Sequence, residues 1–350
     1  MERSKNWKRW LLLSAGLAIL AGLLVREILI DPQWRAFNAH TFLSSLVSVD
    51  KVWLGWALIS IYSTYLVRAL RWKVLMSRMK PRASLWNLFS ATVIGFAAIG
   101  IFGRAGEMVR PYLVARKEGV SLSSQVGVWV LERSFDMLTV LVTVAFALGR
   151  FDAAALRSSP TLSRVLHISG NLIAFSVLGI LLLIVVLRSF AEPVAAWLID
   201  RLRFLSPPRL RRVEDSLLAF LEGSRGIRSL ATLAICTLYS LAEWALIAFC
   251  YSAVFNSFSG GLRLSVNNIL IFMGSVMAGS MIQIPGLGGG IQVAALLVLT
   301  EVFDVRPEIA ASISLLIWVL TFLVVVPPAV ALALYEGLSW SKLRTLDSEN

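Results

Sequence analysis

An all-α, polytopic membrane helix bundle is the fold class this sequence predicts, and three observations predict it. Of 350 residues, 57% are hydrophobic and only 15% are charged, where an ordinary globular domain carries about a quarter charged residues. Apolar runs recur at 10–25, 52–67, 137–148, 172–187, 230–254 and 309–334, each long enough, alone or with its flanks, for the roughly 20 residues of a membrane helix. Lys and Arg cluster in alternate loops, as membrane topology requires. Helices follow because every backbone polar group in lipid must be satisfied internally.

The elements can be taken in order. Arg3, Lys5, Lys8 and Arg9 hold the N-terminus in the cytoplasm, ahead of span 1 (10–30). No small-x-small cleavage site follows Val25, so this segment reads as a retained span rather than a signal peptide. Span 2 (52–70) returns to a basic cluster of Arg68, Arg71, Lys73, Arg78, Lys80 and Arg82. If 84–102 then crossed fully, Arg104, Arg110, Arg116 and Lys117 would be stranded outside, and the Arg-rich loop 188–228 would also invert. A re-entrant hairpin over 84–119, open to the cytoplasm, restores every loop. Span 3 (122–148) leads out and span 4 (170–188) leads in. A cytoplasmic amphipathic loop follows (189–228), whose Val194, Trp197, Leu198 and Leu202, then Val213, Leu217 and Leu221, sit at helical spacing beside arginines and suit the inner leaflet. After span 5 (229–254), the apolar stretch 264–303 is broken by Pro285-Gly286-Leu287-Gly288-Gly289-Gly290 and reads as a second hairpin, open to the outside. Span 6 (309–334) brings the C-terminus back to the cytoplasm.

The expectation is about six full spans plus two re-entrant helical hairpins in one integral membrane domain, 1–350. Either hairpin could instead be a pair of short spanning helices. On this topology 24 of the 33 Lys and Arg lie inside and 8 outside, with Arg133 in the membrane. The order span, hairpin, span occurs at 52–148 and again at 229–334 with the hairpins opening oppositely, a candidate inverted repeat of the kind transporters use to build a midplane site.

A net charge of +12 raises nucleic acid as a partner, but the basic residues are scattered between apolar spans and match no nucleic-acid motif. Anionic lipid is the expected partner. Cys236 and Cys250 are 14 positions apart on one helix, about 21 Å by rise, and cannot bridge. The chain has no Walker sequence, G-x-G-x-x-G, H-E-x-x-H or Cys/His cluster, so no cofactor or metal is expected and no enzymatic activity is assigned.

Gln125, Trp129, Glu132 and Asp136 follow at spacings of four, three and four on span 3 and share one helix face, with Arg133 beside them. Intramembrane charges cost roughly 2.5–3.5 kcal/mol each on insertion scales and seek a partner or a wet cavity. They read either as a cavity wall or as an Arg133–Asp136 staple. In the first hairpin, Gly103-Arg104-Ala105-Gly106-Glu107-Met108-Val109-Arg110 pairs two arginines suited to forked binding of phosphate or carboxylate with glycines that allow close approach; anchoring alone would need the arginines but not the glycines. In the second, Gln283 and Gln292 flank the glycine turn, and a helix starting near Ile291 would offer free amides to an anion, unless the glycines serve packing only. Glu243 in span 5 is a weaker candidate.

On Arg68 to Trp72 (RALRW), Gly103 to Arg116 with Leu131-Glu132-Arg133 and Asp136 (GRAGEMVRPYLVAR…LERSFD), and the turn at 285–290, the chain resembles the lysylphosphatidylglycerol synthase transmembrane-region family. These flippase-like proteins are related to the membrane half of the multiple peptide resistance factor. The resemblance covers roughly 10–335 and implies functional positions at Arg104, Glu107, Arg110, Glu132, Arg133 and Asp136. Gln292 stands where family members often carry Glu. The multiple peptide resistance factor also has a soluble aminoacyl-transferase domain, whereas the sequence here ends about 15 residues after its last span, so synthesis of an aminoacyl lipid is not expected. The resulting expectation is an inner-membrane protein of bacterial type that binds and translocates an anionic or polar-headed lipid. The alternatives are a membrane-embedded transferase with Glu132 or Asp136 as general base, and a non-transporting partner of a lipid-synthesis enzyme.

Overall fold

The computed structural model describes residues 34, 36–150, 160–204, 206–258, 262–281, 283–284 and 288–337. The expected span 1 and residues 285–287 of the Pro-Gly turn lie outside the described residues. What is described is an all-α bundle with one two-residue β-ribbon.

A short helix, α1 (Ala39–Val47), meets α2 (Lys51–Leu75) at 74°; no helix was expected in this loop. Asn38 and Asp50 cap the two helices, Asp50 accepting from the Val52 amide at 2.8 Å. Helix α2 runs antiparallel to a helix later in the chain, Leu230–Ser257. At one end the Asp50 amide donates to the Ser257 carbonyl at 2.7 Å, in the middle Ser60 Oγ donates to the Leu246 carbonyl at 2.7 Å, and at the other end Gly226 abuts the Leu75 carbonyl. These contacts define an Asp50 end and a Leu75 end of the bundle. They also correct the expected boundary at 70. Because nothing in Trp72-Lys73-Val74-Leu75 breaks the helix, Arg68 and Arg71 stay inside the bundle, 6% and 0% exposed, instead of joining the basic loop.

Helix α3 (Leu85–Phe102), a 3₁₀ turn (Gly103–Met108) and α4 (Val109–Glu118) form a stretch long and apolar enough to cross a bilayer, yet the stretch doubles back. The Ser84 amide and Asn87 Nδ2 both donate to Glu118 Oε1, at 3.2 and 2.8 Å; in a continuous helix these ends would stand about 50 Å apart. Midway, a Cβ added to Gly95 would lie 2.7 Å from that of Arg110, so glycine is what allows the arms to touch. Gly103 turns the chain at φ 64°, a left-handed value glycine adopts without strain.

Helix α5 (Leu122–Leu148) follows, capped by Ser121, then α6 (Pro160–Val185), which ends in a π turn (Val186–Phe190). The expected amphipathic loop folds as α7 (Ala191–Arg201) and α8 (Pro207–Ser224). It is more than a surface strap: Gly127 of α5 abuts the Phe220 carbonyl and Gly223 of α8 abuts the Ser124 carbonyl, so the two helices pack backbone to backbone. The antiparallel partner of α2 is α9 (Leu230–Ser257); it carries Cys236 and Cys250, both free and buried.

The second hairpin comprises α10 (Val266–Gly279), a ribbon pairing β1 (Gln283–Ile284) with β2 (Gly288–Gly289), and α11 (Gly290–Leu297), which continues into a π turn (Val298–Val302). Gly279 abuts the Gly290 carbonyl. Last come α12 (Pro307–Trp318), a third π turn (Val319–Leu323) and α13 (Val326–Tyr335), which crosses back to the Leu75 end, where Lys117 Nζ meets Glu336 at 2.5 Å. The first hairpin opens at the Leu75 end and the second, which follows Ser257, at the Asp50 end. Their tips meet between the two ends, where Arg104 Nη2 donates to the Ser280 carbonyl at 3.1 Å.

Two apolar cores flank this meeting point. One gathers Tyr65, Val254, Phe255, Phe272 and Ile313 toward the Asp50 end; the other gathers Trp72, Leu88, Val114, Leu131 and Ile227 toward the Leu75 end. By length and composition four described stretches, five counting the bent α1–α2 pair, could cross a membrane, one of them the hairpin 85–118. Helix α5, with Glu132, Arg133 and Asp136, is 27 residues long. The chain is a multi-pass membrane protein.

Candidate functional site

Between the two apolar cores lies a layer of buried charge. Arg68 and Arg71 are one turn apart on α2, so both face α5 and α9. Arg68 Nη1 donates to Asp136 Oδ2 at 3.1 Å and Nη2 pairs with Glu243. Arg71 Nη2 lies 3.0 Å from Glu132 Oε1, 2.7 Å from Asp136 Oδ1 and 3.0 Å from Glu243 Oε2, while Nη1 donates to Ser240 Oγ at 2.6 Å. From the first hairpin, Arg110 Nη1 donates to both oxygens of Glu132 at 2.8 Å, and its guanidinium stacks over Trp72 at 4.1 Å. Arg133 Nη2 reaches Asp136 Oδ2 at 3.0 Å. Glu132 is about 15 Å of helical rise from the start of α5 and Glu243 about 20 Å from the start of α9, so the layer lies deep in the bundle. Four arginines meet three carboxylates, which leaves one positive charge in excess.

A cavity of about 320 Å³ opens beside this layer, between the two hairpin tips. Arg68, Arg110, Glu132 and Arg133 form one wall; Arg104 and Glu107 come from the first tip, and Ser280, Ile291 and Gln292 from the second. Aromatic side chains from α2, α3, α5, α9 and the last helices complete it, among them Tyr65, Phe96, Trp129, Trp244, Tyr251 and Trp318. Several wall residues keep buried polar atoms with no hydrogen-bond partner among the described residues: Arg110 Nε, Arg133 Nε, Trp244 Nε1 and Gln292 Oε1. An unpaired buried polar group costs about 1–3 kcal/mol, and a polar guest would offset that cost. Among the described residues no group of His, Cys, Asp and Glu could hold a metal ion.

Seven of the residues singled out from the sequence, Arg104, Glu107, Arg110, Trp129, Glu132, Arg133 and Gln292, are thus gathered on one cavity. The others are not. Gln125 is fully buried toward the Leu75 end, where its Oε1 accepts from Trp72 Nε1 at 2.9 Å. Asp136 lies behind the arginine wall, and Gln283 is held in the ribbon opposite Gly289. The expected Arg104–Arg110 fork does not form. Arg104, with half its side chain exposed, pairs with Glu107 at 2.7 Å, whereas Arg110 is buried and committed to Glu132. The Arg133–Asp136 staple exists, but Asp136 is shared with Arg68 and Arg71, so the pair belongs to a network. Reading Arg68 and Arg71 as loop anchors missed their role. The signal that could have found them is their i, i+3 spacing in an unbroken helix, opposite a helix carrying Glu132 and Asp136.

Searches of curated proteins and of solved structures returned no match. A family model described as the lysylphosphatidylglycerol synthase TM region matches residues 10–329. That span contains both hairpins, the charge layer and every residue of the cavity wall, and the chain accordingly belongs to the lysylphosphatidylglycerol synthase TM-region family.

Proposed function

We propose that this protein binds an anionic or polar-headed lipid with its headgroup in the central cavity and carries it across the inner membrane, as the hairpin tips part to one side and then the other. The observation that carries the reading is the cavity itself: it lies deep among apolar helices, has one positive charge in excess, and is bounded by the tips of two hairpins that open to opposite ends. Its volume is near the lower end of the roughly 300–1,000 Å³ of small-molecule sites, enough for a headgroup while the acyl chains stay in lipid. The Leu75 end carries Arg78, Lys80, Arg82, Arg116, Arg209, Arg211 and Arg212, against Lys51, Arg150, Arg263 and Arg306 at the Asp50 end. This bias supports a cytoplasmic Leu75 end. The opposed hairpins support an inverted repeat of 52–148 and 229–334.

One observation weighs against a transferase. Glu132 and Asp136 each meet two or more arginines at 3.1 Å or less, so neither is free to take up a proton as general base. The test is translocation of a fluorescent phosphatidylglycerol in proteoliposomes, with phosphatidylcholine as the zwitterionic control. Faster movement of the anionic lipid than in protein-free vesicles, lost in Arg104→Gln/Arg133→Gln at matched insertion, is expected. Rates equal to those of empty vesicles would remove translocation and leave the partner of a lipid-synthesis enzyme as the better reading.

A further inference from the structure

A second, smaller opening lies on the other side of α3 from the central cavity. It is a groove of about 80 Å³ between the first hairpin and α13, and every residue lining it is apolar. Four alanines, Ala97 and Ala98 on α3 and Ala329 and Ala333 on α13, leave the room for it. Phe102, Val330 and Leu334, which also line it, are 42%, 38% and 64% exposed, so the groove opens onto the bilayer. Helix α3 serves both openings. Its Ile94, Ala97, Ala98 and Ile101 line the groove, while Gly95, Phe96, Ile99 and Gly100 line the cavity; at about 100° per residue these sets are opposite faces of one helix.

The way round α3 is closed differently at its two edges. At one edge the rest of the hairpin closes it with backbone: Gly95 sits against Arg110, and Gly106 abuts the Ala98 carbonyl. At the other edge stands a single side chain, Phe322, whose ring fills the space a Cβ on Gly100 would need. Phe322 also lines the cavity, packs beside Trp318 with ring centroids 5.4 Å apart, and belongs to the π turn Val319–Leu323 that joins α12 to α13. The Val324 amide there donates to the Val319 carbonyl at 2.9 Å, one residue beyond the helical partner, and such π turns within helices often mark functional points. Cavity and groove are therefore separated on this edge by a ring that can swing, not by backbone.

We propose that the groove holds an alkyl chain of the lipid whose headgroup occupies the cavity, and that Phe322 is the portal side chain past which the chain leaves the bundle sideways. The proposal rests on the lipid-binding reading above and adds the route by which the lipid enters. The groove takes a few methylenes, and the rest of the chain lies out along the membrane. An alkyl chain is the occupant because the lining offers no polar partner, the mouth faces lipid, and the groove lies along the same seam of α3 and the last helices as the headgroup cavity.

The test uses phosphatidylglycerol carrying a diazirine midway along one acyl chain, with phosphatidylcholine carrying the same group as the control for lipids that merely surround the protein. Each probe is photolysed with the full chain in phosphatidylcholine vesicles, and the labelled peptides are mapped. Phosphatidylglycerol is expected to label 94–102 and 329–334 at least about tenfold more than phosphatidylcholine does, the least that one charge-assisted headgroup contact would give. An excess of phosphatidylglycerol labelling that falls elsewhere on the protein would overturn the portal and spare the lipid-binding reading. No excess anywhere would overturn both. A second measurement addresses Phe322 itself. With Cys236 and Cys250 replaced, a disulfide between Gly100→Cys and Phe322→Cys should stop phosphatidylglycerol movement in proteoliposomes, and reduction should restore it. Undiminished movement in the oxidised protein would overturn the portal, and the wild-type labelling pattern decides the matter even if this variant fails to fold.

Discussion

Arg104 and Arg110 are six positions apart and do different work. Arg110 is buried with both oxygens of Glu132 in reach of one nitrogen, so Arg110→Gln leaves a carboxylate short of a partner. Breaking one side of a buried pair costs about 3–5 kcal/mol. The expected result is a large fall in thermal stability in detergent, or failure to insert. Arg104 is half exposed at the hairpin tip and bonds Glu107 and the Ser280 carbonyl. An exposed pair is worth about 0–1 kcal/mol, so Arg104→Gln should melt within a few degrees of the wild type while losing lipid movement. Similar melting of the two variants would contradict this division. Exchanging Arg133 and Asp136 is a second residue-scale test. For an isolated staple the exchange is harmless, but here it would set an arginine against Arg68 and Arg71 in place of the carboxylate they share. The exchanged protein is expected not to fold; a monodisperse, wild-type-like elution profile would show the network to be dispensable.

At the scale of elements, the first hairpin depends on the absence of a side chain. A methyl at Gly95 would sit 2.7 Å from Arg110 Cβ, which is part of the opposing arm and cannot swing aside. Overpacking of this kind costs about 1–3 kcal/mol, and it would also shift Arg110 relative to Glu132. Gly95→Ala should therefore lower the melting temperature and weaken anionic-lipid binding together. Gly55→Ala, where a Cβ meets nothing within 4 Å, is the control and should change stability by less than about 0.5 kcal/mol. Equal effects of the two would mean that the hairpin arms tolerate separation. The hairpin was legible in the sequence through its charges: Arg104, Arg110, Arg116 and Lys117 could not be left outside. Its closure was less so, because the Glu118 carboxylate that joins the two ends looks like any other polar residue of a basic loop.

At the scale of the molecule, the two hairpins enter from opposite ends and touch at their tips, and this arrangement makes two predictions. With Cys236 and Cys250 replaced, single cysteines at 116 and 206 should label from one side of the membrane and a cysteine at 263 from the other. Labelling of 116 and 263 from the same side would be incompatible with opposed hairpins. If transport requires the tips to part, a cross-link between Ala105→Cys and Ser280→Cys should stop lipid movement and leave lipid binding within about twofold, and reduction should restore movement. Continued movement in the cross-linked protein would separate transport from the tips.

The membrane class, the helical architecture, the paired hairpins and most of the cavity-lining charges followed from the sequence by itself, because hydropathy, the charge rule and the cost of intramembrane ions act on local stretches of chain. Tertiary structure alone decided which arginines are loop anchors and which are core. Arg68 and Arg71 look basic and peripheral until α2 is seen to continue past them, and Glu243 looks isolated until α9 is laid along α2. It also decided that Arg110 is committed to Glu132 while Arg104 pairs with Glu107 at the hairpin tip, and that Trp244 and Gln292, 48 positions apart, line one cavity. The physical reason is that a buried charge is defined by its partners. Here those partners come from three helices and a hairpin whose meeting is set by packing across the bundle, which no local pattern records.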